Sequence, residues 1–451
     1  MFENIIGQPV IFRLQSDITN NVLAPSMLFA GPSASGKGTA ALEMGRAFSC
    51  ETENAPWNCR CRACCHHRTL SHDDLIVMGP RQFSVEIAAA RAALLRDITS
   101  ATSKTLFLRA VRKLLMRFSP VLWTDDPKIT KLNGILETVN ETMEELNLLC
   151  GAEGGEGTLD NITKLCDAVI KHTLKLEADG ITDTIPVSHI RSAAYWLRIA
   201  PSGKRKLLVI ENADRMQDAA RNSLLKILEE PPDTCAIIFC SSKPEALLPT
   251  ILSRLRPYIF AQRGKAADSE VVRRVFKDKE DAVPPHSKTE SGITAYLDTF
   301  LPIPKNVLYP VSALFWASIA FGVTMELRKK GVSDVELPSA IIAIGKHCAP
   351  IAEAAGLGKV CPDIKSLCSA VLTASGNFGS RGAFTMFLGI LCSMLSEALF
   401  SIQAQTICSA YRRILLKYIE KTRAAVDVFN QSPALALENF SSCLIHDMAV
   451  L

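Results

Sequence analysis

Three groups of residues in this 451-residue chain have the types and spacing for chemistry. The first is Gly31-Pro32-Ser33-Ala34-Ser35-Gly36-Lys37, a fit to G-x-x-x-x-G-K. In such a loop the glycines let the backbone approach a polyphosphate, amide N–H groups at a helix N-terminus cradle it, and the lysine sets a point charge on its outer oxygens. The position after the lysine should carry a Ser or Thr hydroxyl for Mg²⁺, but here it is Gly38, with Thr39 one further on. Gly31, Ser35, Gly36, Lys37, Gly38 and Thr39 are thus the candidate nucleotide contacts, and ATP with Mg²⁺ is left open as a cofactor.

The second group follows the apolar run Leu207-Leu208-Val209-Ile210, which leads into Glu211-Asn212-Ala213-Asp214. In a working loop ATPase the first acid after this strand helps hold Mg²⁺, and the second orients or activates water. Glu211 could still reach a metal, with one extra methylene. Asn212 cannot act as a general base and adds no negative charge beside the water. With Gly38, this predicts a site that does not hydrolyse ATP. The third group is a crowd of five of the 15 cysteines within Cys50–Cys65, which reads as metal-binding rather than disulfide chemistry. Four thiolates in a tetrahedral array would make a closed, structural zinc site.

The elements that must position these groups are legible as a switch in period. Met27–Ala30, Leu207–Ile210 and Ala236–Cys240 are strand-length apolar runs. A loop and helix follow the first, and the helical pattern Ala219–Leu228 lies between the other two, so a parallel α/β sheet is expected. After Phe260 long amphipathic patterns take over, as in Ile407–Phe429, and the C-terminal third should be helical. Between them Leu106–Phe118, Leu132–Leu149 and Leu159–Leu176 read as helices, with Gly151–Gly157 (GAEGGEG) as a flexible linker. Lys104, Arg109, Arg112, Lys113 and Arg117 lie along the first of these and read either as a partner or DNA surface or as a solvated face. Trp123, Trp196 and Trp316 are expected in cores.

Bulk properties narrow the class. Hydrophobic residues are 48% and charged residues 21% of the chain, enough for large cores. A formal net charge of +4 argues against a dedicated, charge-driven nucleic-acid binder. Met1–Leu14 has no basic stretch followed by an apolar one. Val311–Met325 is short of the roughly 20 residues a membrane span needs, and Ala383–Phe400 carries Ser393, Ser396 and Glu397, so both read as buried core helices. No membrane association and a cytoplasmic location are expected.

At Ala219-Ala-Arg-Asn222-Ser-Leu-Leu-Lys226-Ile-Leu-Glu229-Glu230-Pro231-Pro232 and Leu247-Leu-Pro249-Thr250-Ile-Leu-Ser253-Arg254-Leu255 the chain resembles the clamp-loader subunits of bacterial DNA polymerase III. The second stretch is similar to their Ser-Arg-Cys motif, with Leu255 for Cys. Phe2-Glu-Asn-Ile-Ile6-Gly7-Gln8 resembles the family's opening, and His72-Asp-Asp-Leu-Ile76 its His-Pro-Asp-Leu stretch, with Asp73 for Pro. Val187–Arg191 with Arg198–Lys206, and Asn430–Asn439 near the end, also fit. The likeness covers about 1–85, 184–262 and 430–442, so 86–183 looks like an insertion.

The resemblance implies an AAA+ phosphate-loop domain over 1–262 with a zinc module at about 50–72, a helical lid over 263–305 and a helical collar, used for oligomerisation, over 306–451. It implies that Arg254 acts as a trans arginine finger at a neighbour's ATP site. It implies gamma/tau and delta subunits as direct partners, and the sliding clamp and primer-template DNA as partners through the complex. The family's zinc spacing, C-x8-C-x2-C-x2-C, picks out Cys50, Cys59, Cys61 and Cys64, although only Arg60 separates Cys59 from Cys61. Cys65, His66 and His67 are left as spare donors. Motor subunits of gamma/tau type keep a Lys-Thr pair and an Asp-Glu pair. Lys37-Gly38 and Glu211-Asn212 therefore favour the delta-prime type, with an ATP-hydrolysing gamma/tau type as the alternative. G-K-G-T is also a nucleoside monophosphate kinase spelling, but the Ser-Arg motif and the collar ending have no place in such a kinase.

Overall fold

A computed structural model describes residues 1–124, 126–149, 158–182, 184–279, 292–301, 303–333, 337–376, 381–400, 417–426 and 431–449. They form two units, Met1–Phe300 and Leu301–Leu451. The linker Gly151–Gly157 lies outside the described residues.

The first unit is built on five parallel strands: β1 (Ser26–Ala30), β2 (Leu75–Met78), β3 (Lys206–Ile210), β4 (Cys235–Ser241) and β5 (Arg256–Ile259). Their order is β2-β3-β4-β1-β5, all neighbours parallel. Every residue of β1 to β4 is buried, which is why these strands read as unbroken apolar runs instead of alternating ones. β5 buries only Tyr258 and contains Pro257, as an edge strand can.

The helices of this unit are α1 (Val10–Thr19), α2 (Lys37–Ser49), α3 (Arg62–Arg68), α4 (Ser84–Arg96), α5 (Ala101–Leu115), α6 (Lys128–Leu149), α7 (Thr158–Gly180), α8 (Val187–Arg198), α9 (Asp218–Glu229), α10 (Pro249–Leu252), α11 (Lys265–Val271) and α12 (Gly292–Asp298). The helices expected over 106–118, 132–149 and 159–176 are α5 with a 3-10 turn at Met116–Phe118, α6 and α7. α6 packs along α7, and α4 along both α5 and α7. They share one continuous core with Leu208, Ile210, Ile237 and Phe239 of the sheet, in which Trp123 and Trp196 are also buried. The opposite sheet face packs on Phe2, Leu14, Met44 and Phe260.

At the sheet's amino edge the entry into β3 is fixed by a short polar tie. Asp74, 1% exposed, takes the backbone N–H of Ser202 at 2.9 Å and of Gly203 at 2.6 Å. This pins the loop that feeds β3 beside β2.

In the second unit α13 (Lys305–Lys329) packs against α14 (Ser339–Ala354), α15 (Ile364–Ala374), α16 (Arg381–Phe400) and the helix Pro433–Met448. Trp316 is fully buried and its indole N–H donates to Leu391 O at 2.9 Å. α13 is long and apolar enough to cross a membrane by length and composition, but 67% of its most apolar window is buried among its neighbours, as expected of a core helix. Of the pattern Ile407–Phe429, residues 417–426 are described and helical; the rest lies outside the described residues.

Replacing Asp74 with Ala should lower stability by about 1–3 kcal/mol, because two backbone N–H groups lose the buried, charged acceptor that ties them to β2. Urea unfolding of the full chain measures it. A midpoint unchanged from wild type would remove this tie from the account of how β3 is placed.

Candidate nucleotide and metal sites

The phosphate loop leaves β1 and closes at Gly36, whose φ of +97° favours glycine, directly before α2. Its lysine is turned inward. Lys37 Nζ donates to Gly31 O and Pro32 O, both at 2.6 Å, and to Ser35 Oγ at 3.4 Å. Burial lowers the Lys37 pKa; Cys240, Glu211 and Asp214 pull against that and do not offset it. A second cation lies over the loop. Arg263, just after β5, donates through Nε to Ile6 O at 2.8 Å and through Nη1 to Ala34 O. A Cβ at Gly36 would come within 2.6 Å of its Nη2.

The acidic end of β3 holds the larger departure from expectation. Glu211, 9% exposed, is clasped by two guanidinium groups. Arg81 Nη1 bonds its Oε1 at 3.2 Å, and Arg117 Nη2 bonds its Oε2. Arg117 is 4% exposed, donates through Nε to Gly79 O at 3.1 Å and lies over the Phe83 ring. The network continues: Glu86 pairs with Arg81 and with Lys113. Burial alone would push the Glu211 carboxyl up, but Arg81, Arg117 and Lys113 outweigh it and its pKa lies below the usual range. Glu86 is held down to about 2, against its own burial, by Arg81 and Lys113. Asn212 Nδ2 donates to Pro80 O at 2.6 Å.

The residues therefore do not fit Mg²⁺ in the usual place. Gly38 has no hydroxyl, and a Cβ built on it would collide with Glu211 Oε1. Both oxygens of Glu211 already face arginines, so a cation at this carboxylate would have to compete with two guanidinium groups. The expected nucleotide residues Gly31, Ser35, Gly36, Lys37, Gly38 and Glu211 are thus brought together, but in a closed arrangement.

The basic stretch of α5 is neither a DNA surface nor a solvated face along most of its length. Lys113 and Arg117 serve the acidic cluster, Arg109 donates to the carbonyls of His67 and Arg68, and Arg112 to Thr69 O at 2.9 Å. Two arginines thus cap the C-terminal end of α3, where carbonyls lack helical partners. Lys104, also half-buried, donates to Asn147 O at 3.3 Å. Arg81, Arg117, Glu86 and Arg263 are site residues that motif reading missed. The signal was available in part, since Arg109, Lys113 and Arg117 recur every four residues and lie on one helix face.

The cysteine cluster is assembled. The Sγ atoms of Cys50, Cys59, Cys61 and Cys64 all lie within 4.8 Å of one another, compatible with closing onto a tetrahedron whose edge is about 3.8 Å for Zn–S bonds of ~2.3 Å. Four thiols so placed could hold one metal ion. Thr52 N donates to Cys50 Sγ at 3.4 Å, Cys61 N to Cys59 Sγ at 3.5 Å and Arg46 Nη1 to Cys64 Sγ at 3.1 Å. Hydrogen bonds to sulfur of this kind favour thiolates. Hydrogen bonding, first with Thr52, brings the Cys59 pKa down to about 6. The spare donors point elsewhere: Cys65 Sγ to Arg60 O at 3.5 Å, His66 Nδ1 near Ser71 Oγ at 3.4 Å and His67 Nε2 near Ser49 Oγ at 2.8 Å.

Arg254, at the end of α10, is one-third exposed. Its Nη1 donates to Thr250 O at 2.7 Å and its Nη2 pairs with Glu229 at 2.7 Å, at the end of α9. Its guanidinium is thereby held at the surface.

Residues 7–108 and 151–263 match the family described as DNA polymerase III, delta subunit. The break at 109–150 is narrower than the insertion expected over 86–183. The delta-prime subunit of Pseudomonas aeruginosa is 34% identical over 23% of this chain and 32% of its own length. The gamma/tau subunit of Mycobacterium bovis is 35% identical over 18% of this chain and 13% of its own. The delta-prime subunit of Escherichia coli is 26% identical over 40% of this chain and 63% of its own. The chain therefore spans under two-thirds of each of these relatives.

Two outcomes test the sites. The purified chain should carry about one zinc per molecule, lost in Cys64→Ser and kept in Cys65→Ser, by elemental analysis; zinc retained in Cys64→Ser would exclude this ligand set. For Glu86, the folded pKa of about 2 lies below its ordinary 4.5. Its stabilisation is therefore complete above pH 4.5 and is lost as pH falls towards 2. Glu86→Gln should flatten that limb of stability against pH, and an unaltered acid limb would show that the pair is not formed in solution.

Proposed function

We propose that this chain, similar over part of its length to delta-prime and gamma/tau subunits of DNA polymerase III, works as a delta-prime-type member of the clamp loader. On this reading it helps place the sliding clamp on primed DNA in the cytoplasm. It supplies Arg254 to a neighbour's ATP site and does not hydrolyse ATP itself. The observation that carries the reading is the state of the acidic strand end: Glu211 is neutralised by Arg81 and Arg117, and Asn212 stands where the water-activating acid should be. Without a free carboxylate pair, the loop has lost the groups that position the metal and the water.

The rest of the proposal follows from what the chain retains. Arg254 is accessible, and its cation is pre-oriented by Thr250 and Glu229. A guanidinium placed on a transferring phosphoryl group stabilises charge that builds up in the transition state, and contributes a rate factor of about 10³ to 10⁵ at the site it serves. The four-cysteine module is read as holding structural zinc, and the helical second unit as the collar through which gamma/tau and delta partners assemble. The clamp and primer-template DNA are then met through the complex.

The isolated chain should show no steady ATP turnover, and Lys37→Ala should change nothing. In a loader reconstituted with its gamma/tau and delta partners, Arg254→Ala should lower DNA-stimulated ATPase several-fold and leave assembly intact on size exclusion. Turnover by the isolated chain that Lys37→Ala abolishes would assign it to the gamma/tau type. Loader turnover indifferent to Arg254→Ala would remove the finger.

A further inference from the structure

The phosphate loop and the strand end around it are more than worn-down catalytic parts, because their changes fit one another. Gly38 and Glu211 each look like a separate defect in sequence. In space they are one arrangement: the volume a side chain at 38 would need is filled by Glu211 Oε1, and the nearest other group is Arg81 Nη1, 3.9 Å from that Cβ position. A glutamate is long enough to reach this far and still present its second oxygen to Arg117. Arg117 in turn is locked by Gly79 O and by the Phe83 ring, and its own carbonyl takes the indole N–H of Trp123 at 2.7 Å. Gly79 itself has φ +110°, and a Cβ there would collide with Glu211 O. A Cβ at 38 would thus meet the carboxylate of Glu211 and one at 79 its backbone.

We propose that Arg81 and Arg117 are the resident cation of this site, fixed internal counter-ions in the place where AAA+ ATPases hold Mg²⁺, with Gly38 as the vacancy that admits Glu211 to them. The strand-end carboxylate thereby ties β3 to the segment after β2 and to the turn Met116–Phe118, and divalent cations are excluded from Glu211. The inference deepens the reading of a non-hydrolysing subunit but stands on the strand-end geometry. A loader indifferent to Arg254→Ala would remove the finger and leave this untouched, whereas ATP turnover by the isolated chain that Lys37→Ala abolishes would sink the non-hydrolysing reading.

The reason a divalent cation does not compete is electrostatic. Arg81, Lys113 and Arg117 face two carboxylates, Glu86 and Glu211, and Arg109 adds a further positive field at Glu86. A dication entering would meet an already neutralised pair and like charges within a few ångströms, at low effective dielectric.

The test uses the full, zinc-loaded chain. Thermal unfolding is followed for Glu211→Gln, Arg117→Met and the pair. Each single change should lower the midpoint by about 5 °C or more, since it strands a buried charge or donor, and the double should fall well short of the sum. Additive losses would overturn the proposal. Gly38→Ser should also destabilise, and less so when Glu211 is shortened to Asp; equal losses in both backgrounds would count against the shared volume. Mn²⁺ supplies a readout on the unaltered protein: bound at Glu211 it would broaden the Trp123 indole N–H resonance. No selective broadening is expected for wild type at millimolar Mn²⁺, and broadening that Mg²⁺ reverses would overturn the proposal.

Discussion

The pairing of Glu211 with Arg81 and Arg117 is the interaction on which the carboxyl edge of the sheet depends. Three chain segments converge there: the end of β3, the turn that follows β2 beyond the last ladder pair Met78–Ile210, and the 3-10 turn after α5. Hydrogen bonds within the sheet cannot hold the last two, because they lie outside it. The forked guanidinium of Arg117 does so by bonding Gly79 O with Nε and Glu211 with Nη2, a planar geometry that lysine could not reproduce.

A buried ion network is not by itself a source of stability; replacing one by apolar groups of like volume is often neutral or favourable. What this network supplies is specificity of placement. Removing one member leaves the others charged and dry, so the segments are held in one relation or the cost runs to about 3–5 kcal/mol. The same helix face does a second task with the same residue type. Arg109 and Arg112, one to two turns before Arg117, cap α3, which carries Cys64. α5 therefore links the cysteine module to the strand end through side chains alone.

Much of this was legible in the sequence, and the boundary of what was legible has a physical cause. Strands β1, β3 and β4 showed because burial on both faces makes them unbroken apolar runs. The phosphate loop showed because close backbone approach needs glycine at fixed offsets, and the cysteines because spacing alone restricts which thiols can meet. Which four was implied by the resemblance, whose zinc spacing picks out Cys50, Cys59, Cys61 and Cys64 despite the short Cys59–Cys61 step, and the fold brings these four together. The basic residues of α5 were opaque. A charge on an amphipathic helix reads as solvated unless its partner is known, and Glu211 lies 94 positions from Arg117. Glu211 was misjudged for the same reason: its type suggested a weakened ligand, whereas its neighbours make it an anion already neutralised.

On the proposed reading, loss of ATP hydrolysis and gain of a structure are the same change viewed from two sides. An aspartate and a hydroxyl at this strand end would leave a gap for a hydrated cation, and the gap would have to stay open between turnovers. Glutamate with glycine closes it, because one methylene gained at 211 is matched by a side chain given up at 38. Once closed, the carboxylate need not rearrange, and Asn212 is free to bond Pro80 O and hold the turn after β2. On the same reading, a strand end fixed in this way gives a stiff body against which a neighbour's site can be set, with Arg254 as the group it presents. The stiffness would come from the buried pairs, while Arg254 stays at the surface, where its bond to Glu229 is an exposed ion pair of small net energy.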